Sequence, residues 1–364
     1  MRRLLLSAAA VLVAPAALAG TPTLSPMTSW GFNGDGWWAP GENGITYLAN
    51  NNEQRSMAVN PVNGNVYVTN ALSVRILDPL TGAATGLLDT TGIAGGARAL
   101  NTVGVTRTGQ IYGTNLTTNS TTSPYRVYHW AGEAAAPVNV YSGDAGLPGS
   151  RIGDDVDVWG DLLAAGYSNN PAVAGNNGFA VLDTNTNTLT RPAFAGSPPN
   201  AGDFRLSIAG VDGDTLYGTQ SSGGTGRLRV ADFSGGVATL VTSIQLTSAS
   251  ERGMDYAFLD GTALLATIDT VTSIVRLYDV TNVDGTTTSL SAIASLDLTA
   301  PDNANGNGTS AVAFGKLVDT GSERFWPLYA MNTNNGIQAF KVVVPEPASL
   351  TILAFAGLLA LRRR

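Results

Sequence analysis

With 364 residues, the chain exceeds the usual size of a single hydrophobic core, which leaves two domains or one domain built from repeats. Only 13% of its residues are charged, against about 25% in an average soluble domain, and its 43 glycines favour strands and turns over long helices. The absence of cysteine excludes disulfides and thiolate metal sites, the single histidine excludes sites with two imidazoles, and the net charge of −7 argues against binding nucleic acid.

Residues 1–19 have the three parts of a secretory signal peptide. Two arginines follow Met1, an apolar run extends to about Leu18, and a small-residue cleavage site ends at Ala19. We therefore expect Sec-dependent export and cleavage by signal peptidase after Ala19. The next segment, residues 20–44, is rich in tryptophan and glycine, and its tryptophans suit either stacking on sugars or packing beneath a blade.

Three landmarks recur along residues 45–344, and their repetition indicates a fold built from similar units. The first is an arginine that opens a short apolar strand: Arg55, Arg98, Arg151, Arg205 and Arg252. The second is a turn glycine followed by a strand: Gly64, Gly109, Gly160, Gly213 and Gly261. The third is a strand that closes on a polar turn, ending at Asp78, His129, Asp183, Asp232 and Asp279.

With a fourth strand in each unit, this pattern predicts an all-β fold, a β-propeller of six blades with four antiparallel strands each. A weaker sixth unit follows at residues 309–341. A β-sandwich does not explain the repeated landmarks, and a β-helix needs a shorter period. Ile45–Leu48 has the spacing of an outer strand, so we expect it to complete the last blade and close the ring. A seventh blade within residues 21–50 remains an alternative.

The first unit carries a family resemblance. It reads Ala58-Val-Asn-Pro-Val-Asn-Gly-Asn-Val-Tyr-Val-Thr-Asn70 and continues with Val74-Arg-Ile-Leu-Asp78. This stretch resembles the YVTN-type propeller repeat of bacterial and archaeal surface proteins. The resemblance covers about 25 residues and fades in later units, so it implies the propeller fold more than a function.

Residues 345–364 combine three features in a fixed order. They are the motif Pro345, Glu346 and Pro347, the apolar segment Leu350–Leu361, and the terminal cluster Arg362, Arg363 and Arg364. The apolar segment is shorter than the roughly 20 residues of a comfortable membrane helix, and the arginines would remain in the cytoplasm. A plain tail anchor explains the apolar segment and the arginines but not the two prolines.

This order of parts resembles the PEP-CTERM sorting signal of Gram-negative bacteria that make extracellular polysaccharide. The resemblance implies that the apolar helix inserts transiently into the membrane and that an exosortase, a membrane-embedded transpeptidase-like enzyme, acts at Pro345, Glu346 and Pro347. It also implies delivery to the cell surface, the outer membrane or the extracellular matrix. In that reaction this protein is the substrate.

No pattern in the sequence identifies a catalytic site. His129 takes the place that aspartates hold in other units, and no nucleophile-elbow, phosphate-loop or dinucleotide-binding motif occurs. The cluster Asp154, Asp155 and Asp157 places the last two on one strand face, although solvated strand edges explain most such clusters. The loop Asp302–Gly308 has oxygen ligands but lacks the terminal glutamate of an EF-hand. We therefore predict no catalytic residue, no metal site and no cofactor.

The five landmark arginines are the candidate binding site. Each lies where a loop enters the innermost strand of a blade, so in a propeller they would gather around the mouth of the central channel. Guanidinium groups in a ring suit an anionic ligand such as an acidic sugar or carboxylate. Alternatively, each arginine caps a loop carbonyl of the next blade or pairs with a nearby acid, of which the chain offers Glu53, Asp154, Asp155, Asp203 and Glu251.

The sequence as a whole predicts an exported, surface- or matrix-sorted propeller that is structural or binds exopolysaccharide or surface proteins, and that is not an enzyme. The alternative is a secreted hydrolase or lyase that acts on polysaccharide inside the propeller mouth. The enzyme requires acids and arginines that converge in one deep, open channel. The interaction module requires a shallow or plugged channel whose side chains pair with one another.

Overall fold

The computed structural model describes residues 20–145, 148–169, 177–195, 203–219, 227–299 and 302–345. The predicted signal peptide and the sorting residues from Glu346 to Arg364, including the apolar segment, lie outside this part of the chain. Within the described ranges, no helix is long and apolar enough to span a membrane. Short 3-10 turns occur at Glu42–Gly44 and Ser234–Gly236.

The described residues form an all-β propeller of six blades, as the repeats predict. Two strands precede the first blade: β1 (Thr23–Pro26) and β2 (Trp37–Trp38). From the axis outward, blade 1 consists of β3 (Gln54–Val59), β4 (Val66–Asn70), β5 (Ser73–Leu77) and β6 (Ala84–Leu87). Blade 2 consists of β7 (Arg98–Val105), β8 (Ile111–Leu116), β9 (Tyr125–Trp130) and β10 (Val138–Gly143). Blade 3 consists of β11 (Ser150–Trp159), β12 (Leu162–Asn169), β13 (Gly178–Asp183) and β14 (Thr188–Thr190).

The remaining blades follow the same antiparallel order. After the short strand β15 (Ala193–Phe194), blade 4 consists of β16 (Ser207–Asp212), β17 (Thr215–Thr219), β18 (Arg227–Asp232) and β19 (Val237–Gln245). Blade 5 consists of β20 (Glu251–Leu259), β21 (Thr262–Asp269), β22 (Val275–Asp279) and β23 (Ala294–Leu296). Blade 6 consists of β24 (Ser310–Phe314), β26 (Arg324–Asn332), β27 (Ile337–Val343) and β1, with β25 (Val318–Asp319) paired to β26.

Strand periodicity explains why the blades stack. Side chains alternate between the two faces of a strand. In β4, Val66 and Val68 therefore pack toward blade 6, while Tyr67 packs toward blade 2. Because neighbouring blades cover both faces of each blade, the sequences of its inner strands are nearly continuous runs of apolar residues. The hydrophobic core is therefore divided among the interfaces between neighbouring blades.

Blade 6 is built from both ends of the described chain, and this closes the ring. β1 pairs antiparallel with β27, from Thr23 opposite Val343 to Pro26 opposite Phe340. The prediction that Ile45–Leu48 supplies the closing strand is therefore wrong. Those four residues form a loop in which the Leu48 carbonyl accepts a hydrogen bond from Gly41 and the Leu48 side chain is fully buried. The propeller thus includes part of the tryptophan-rich segment and begins at Thr23.

The tryptophans of this segment pack between blade 6 and blade 1. Trp30 is fully buried, with its ring centre 4.9 Å from that of Tyr329. The indole of Trp38 donates to the carbonyl of Thr81 at 2.9 Å, which ties the segment to blade 1. The indole of Trp37 donates to the carbonyl of Asn335 at 2.7 Å, in blade 6. These tryptophan side chains pack between the two blades and do not form an exposed surface on which sugars could stack.

Trp30→Ala is expected to lower the free energy of unfolding by about 3–5 kcal/mol, because it leaves a cavity at the closing interface. Equilibrium unfolding in urea measures the change. The matched control is Phe32→Ala, since Phe32 is an aromatic side chain two residues away that is 62% exposed. The control should change the free energy by less than about 0.5 kcal/mol. Equal effects of the two substitutions would contradict the role of Trp30 in packing blade 6 against blade 1.

Candidate site at the channel mouth

The six innermost strands, β3, β7, β11, β16, β20 and β24, surround the central channel, each against the next and β24 against β3. Five of them have a landmark arginine within two residues of their first residue, so these arginines lie at one end of the channel. We call this the arginine end and the opposite end the far end. In blade 6, Thr309 takes the place of the arginine.

Arg55 is the most buried of the five arginines, with 6% of its surface exposed. Its Nε donates to the carbonyl of Asn52 at 3.1 Å, and its Nη1 donates to the hydroxyl of Thr309 at 3.4 Å. Burial, with a smaller contribution from the positive charges of Arg98 and Arg151, lowers the pKa of Arg55 to about 10. The guanidinium groups of blades 1, 2 and 3 are therefore close enough to repel one another.

Three of the arginines pair with two carboxylates. Arg98 contacts Glu53 at 2.6 Å, while Arg151 and Arg205 share Asp154 at 2.5 and 2.6 Å. Burial alone would raise the pKa of Asp154, but its hydrogen bonds and its attraction to the two arginines outweigh burial and lower the pKa. Asp154 is thus a buried anion that holds blade 3 to the segment entering blade 4.

Arg252 caps the next blade instead of pairing with an acid. Its Nη1 donates to the carbonyl of Gly308 at 3.2 Å, and its buried Nε has no hydrogen-bond partner in the described chain. A Cβ atom at position 308 would lie 2.0 Å from that Nη1, so glycine is required there for the close approach. Burial lowers the pKa of Arg252, and repulsion from Arg205 adds to the effect.

At the arginine end, some of the arginines pair with acids, whereas others have no acid partner and donate to carbonyl or hydroxyl groups. Both arrangements that the sequence left open therefore occur. Five guanidinium groups meet two ion-paired carboxylates, which leaves three positive charges in excess among these seven groups. Two other acids predicted nearby form no ion pair with the five arginines in the described chain, although the charge of Arg205 acts on Asp203. Asp203 lies 3.7 Å from Arg229, and Glu251 accepts hydrogen bonds from Thr267 and Tyr278. The result is a mouth with a positive field and several buried donors.

Below the arginines, three carboxyl groups line a small cavity in the channel. Asp155 accepts a hydrogen bond from the Ile208 backbone at 3.1 Å, and Asp157 accepts one from the Gly210 backbone at 2.7 Å. Across the channel, Asp255 accepts one from the Phe314 backbone at 2.7 Å. Each carboxyl group thus joins its own blade to the next. The cavity measures about 110 Å³, whereas small-molecule sites typically measure about 300–1,000 Å³.

These three carboxyl groups retain protons at pH values where an exposed aspartate has lost its own. Burial raises the pKa of Asp155 well above its usual range, raises that of Asp157 to about 6, and raises that of Asp255 to about 8. The charge of Asp157 contributes to the shift at Asp255. A protonated, backbone-bonded acid in a cavity of this size can join blades, but it is out of reach of a polymer.

The structure separates the members of the predicted acid cluster. Asp155 and Asp157 point into the channel from one strand face, as their spacing predicts, whereas Asp154 joins the arginine end. Sequence reasoning missed Asp255. The available signal was its place near the end of an innermost strand, because Asp255 lies four residues before the end of β20, as Asp155 does before the end of β11.

Two other candidates lie away from the channel. His129 is at the end of β9 and stacks on Tyr112 with ring centres 4.8 Å apart. Asp302 accepts hydrogen bonds from the hydroxyls of Ser273 and Thr299 at 2.6 and 2.8 Å. Among the residues that the structure describes, no group of three or more histidines or acids is arranged to hold a metal ion.

Solved structures share the fold of this chain. A DUF4623 family protein from Bacteroides eggerthii superposes with a TM-score of 0.62 at 16% identity, over 92% of this chain and 78% of that one. The calcium-binding protein regucalcin from Agrobacterium tumefaciens gives 0.48 at 13% identity, over 83% and 92%. The major Malassezia sympodialis allergen Mala s 1 gives 0.48 at 13% identity, over 82% and 94%. No family model and no curated protein sequence matches the chain. The likeness to the DUF4623 family protein extends to the fold alone.

Asp255→Asn is expected to flatten the dependence of stability on pH. A pKa raised in the folded state means that the folded protein holds this proton more tightly than the unfolded chain does. The resulting stabilisation is complete below the unfolded value of about 4 and is lost as the pH rises toward about 8. Asparagine does not titrate, and its side-chain oxygen still accepts the hydrogen bond from Phe314.

Urea unfolding at a series of pH values from about 4 to about 8 tests this. As the pH rises, the free energy of unfolding of Asp255→Asn should increase relative to that of the unsubstituted protein. Asp214→Asn, at an exposed turn, should run parallel to the unsubstituted protein. If the Asp255→Asn profile also runs parallel, the channel carboxyl group does not titrate as described.

Proposed function

We propose that this protein is an exported, surface- or matrix-sorted β-propeller that binds a carboxylate-bearing polysaccharide at its arginine end without catalysing its cleavage. The observation that carries the proposal is the convergence of five guanidinium groups on one channel mouth, with two carboxylates to balance them. Arg55 and Arg252 have no carboxylate partner in the described chain.

The physical cost of gathering these arginines supports an anionic ligand. Burial and mutual repulsion both lower the pKa of Arg55 and that of Arg252, which means that each positive charge is unfavourable where it lies. A ligand carboxylate at the mouth would relieve this repulsion and would accept the paired hydrogen bonds that a guanidinium group offers. The cavity below the arginines measures only about 110 Å³, so the ligand would stop at the mouth.

The arrangement of the acids favours binding over catalysis. The alternative function, a hydrolase or lyase acting on polysaccharide, needs a pair of acids that substrate can reach. Asp154 is 3% exposed and carries two ion pairs, so it is poorly suited to proton transfer. Asp155 and Asp157 are bonded to backbone groups around a cavity too small for a sugar ring.

Export and sorting rest on the two ends of the sequence, and the fold is compatible with both. A Cβ atom at Gly20 would lie 2.8 Å from the Pro345 ring, so the two ends of the described chain are adjacent. The last strand ends at Val343, just before the Pro-Glu-Pro motif. Removal of residues 1–19 by signal peptidase and of the C-terminal tail by an exosortase would leave every described blade intact.

Arg252→Gln is expected to weaken binding of polygalacturonate, a probe rich in carboxylates, by about tenfold, because it removes one of the two arginines that lack an acid partner. The affinity of the purified protein for the polymer is measured at low and at physiological salt. Arg107→Gln is the matched control, since Arg107 is an exposed arginine at the far end of the channel. Neutral dextran serves as the ligand control.

Equal affinities of Arg252→Gln and the control variant would contradict binding at the arginine end. Release of new sugar ends from the polymer by the unsubstituted protein would favour the enzyme instead. Unfolding curves that match for both variants ensure that a lost affinity reflects the site.

Glu346→Ala is expected to leave the exported protein with its C-terminal tail attached, because it alters the centre of the sorting motif. Mass spectrometry of the surface fraction of a producing cell measures the tail directly. The control is Glu323→Ala, at a glutamate of blade 6 that is bonded to Lys341. The same processed mass for Glu346→Ala as for the control would show that this motif does not direct processing.

A further inference from the structure

A groove crosses the far end of the propeller beneath blades 3, 4 and 5. Two adjoining cavities of about 660 and 400 Å³ form it, and they share Val211, Asp212, Tyr256 and Phe258. Each cavity falls in the size range of ligand sites, in contrast to the small cavity inside the channel. We call this feature the far-end groove.

Three aromatic side chains line the groove without being fully buried. Phe258 is 65% exposed, and Tyr256 lies on the same face of β20, two residues earlier. Trp159, at the end of β11, lies against the backbone of blade 4, where a Cβ atom at Gly210 would come within 1.9 Å of the indole. An exposed phenylalanine beside two further aromatic rings is unusual for a solvated surface.

The groove is also acidic. Asp161 and Asp212 are exposed, and neither carboxylate has a hydrogen-bond or ion-pair partner in the described chain. Burial raises the pKa of Tyr256, and the negative charge of Asp212 raises it further, so the field of this carboxylate reaches the ring. Asp232 lines the second cavity, and Arg107 is the cation among the described residues that line the first.

We propose that the far-end groove binds a basic peptide segment of a protein partner. Lysine or arginine side chains would lie over the rings of Trp159, Tyr256 and Phe258, which attract cations through their faces. Their charged groups would approach Asp161 and Asp212, whose two negative charges exceed the single positive charge of Arg107 in the first cavity. A neutral saccharide would use the rings but would leave these two carboxylates without a counter-charge.

This inference does not rest on the polysaccharide site. The groove lies at the opposite end of the channel from Arg55 and Arg252, and it has the opposite charge. A propeller with both sites would hold an anionic polymer at one end and a basic protein segment at the other, which suits a protein that joins components of a matrix.

The test measures binding of fluorescent hexalysine to the purified protein by anisotropy, at about 0.15 M salt to suppress long-range attraction. Asp212→Asn and Phe258→Ser should each weaken binding about fivefold, because one removes a groove carboxylate and the other an aromatic face. Asp214→Asn is the matched control. It removes the same charge two residues away, at an exposed position that lines neither cavity.

Three results would overturn the proposal. If Asp214→Asn weakens binding as much as Asp212→Asn, hexalysine responds only to the general charge of the protein. If Phe258→Ser has no effect, the aromatic rings take no part. If maltohexaose binds more tightly than hexalysine, the groove is a saccharide site. Arg252→Gln should leave hexalysine binding unchanged. The two proposed sites are thereby tested independently, and the failure of one can be distinguished from the failure of the other.

Discussion

The antiparallel pairing of β1 with β27 is the interaction on which the rest of the structure depends. It joins two segments more than 300 residues apart and converts a row of similar blades into a closed ring. Across the same junction, Thr333 donates to the carbonyl of Gln54 at 2.8 Å, and Arg55 reaches Thr309. Closure therefore brings Arg55 of blade 1 against Thr309 of blade 6 and completes the channel mouth.

Within the closed ring, side chains bond directly to the backbone of the next blade along the channel. The hydroxyl of Ser56 accepts a hydrogen bond from the Val103 backbone at 3.2 Å, and Asn101 donates to the Gly153 carbonyl at 2.7 Å. Asp155, Asp157 and Asp255 make the corresponding contacts from blades 3 and 5. The innermost strands belong to different sheets, so these polar side chains satisfy backbone groups that no neighbouring strand in the same sheet pairs. This role places the carboxyl groups inside the channel, where burial raises their pKa values more than the hydrogen bonds lower them.

The sequence periodicity was sufficient to predict the blades and the positions of the landmark arginines, because both features repeat locally and do not depend on distant partners. It was not sufficient for closure. Thr23–Pro26 and Ile45–Leu48 are both segments of four residues, and the choice between them depends on which one reaches β27. Asp255 was missed for a similar reason, since its role depends on the Phe314 backbone of another blade. The far-end groove likewise assembles residues from several blades.

Ring closure places guanidinium groups that lack an acid partner at one channel mouth, and we propose that they bind a carboxylate there. A crystal structure of the protein with trigalacturonate tests this most directly. We expect a ligand carboxylate at the arginine end, within hydrogen-bond distance of Arg55 or Arg252, with the channel cavity below free of sugar. Trigalacturonate bound anywhere else, or a mouth left empty at saturating ligand, would contradict it.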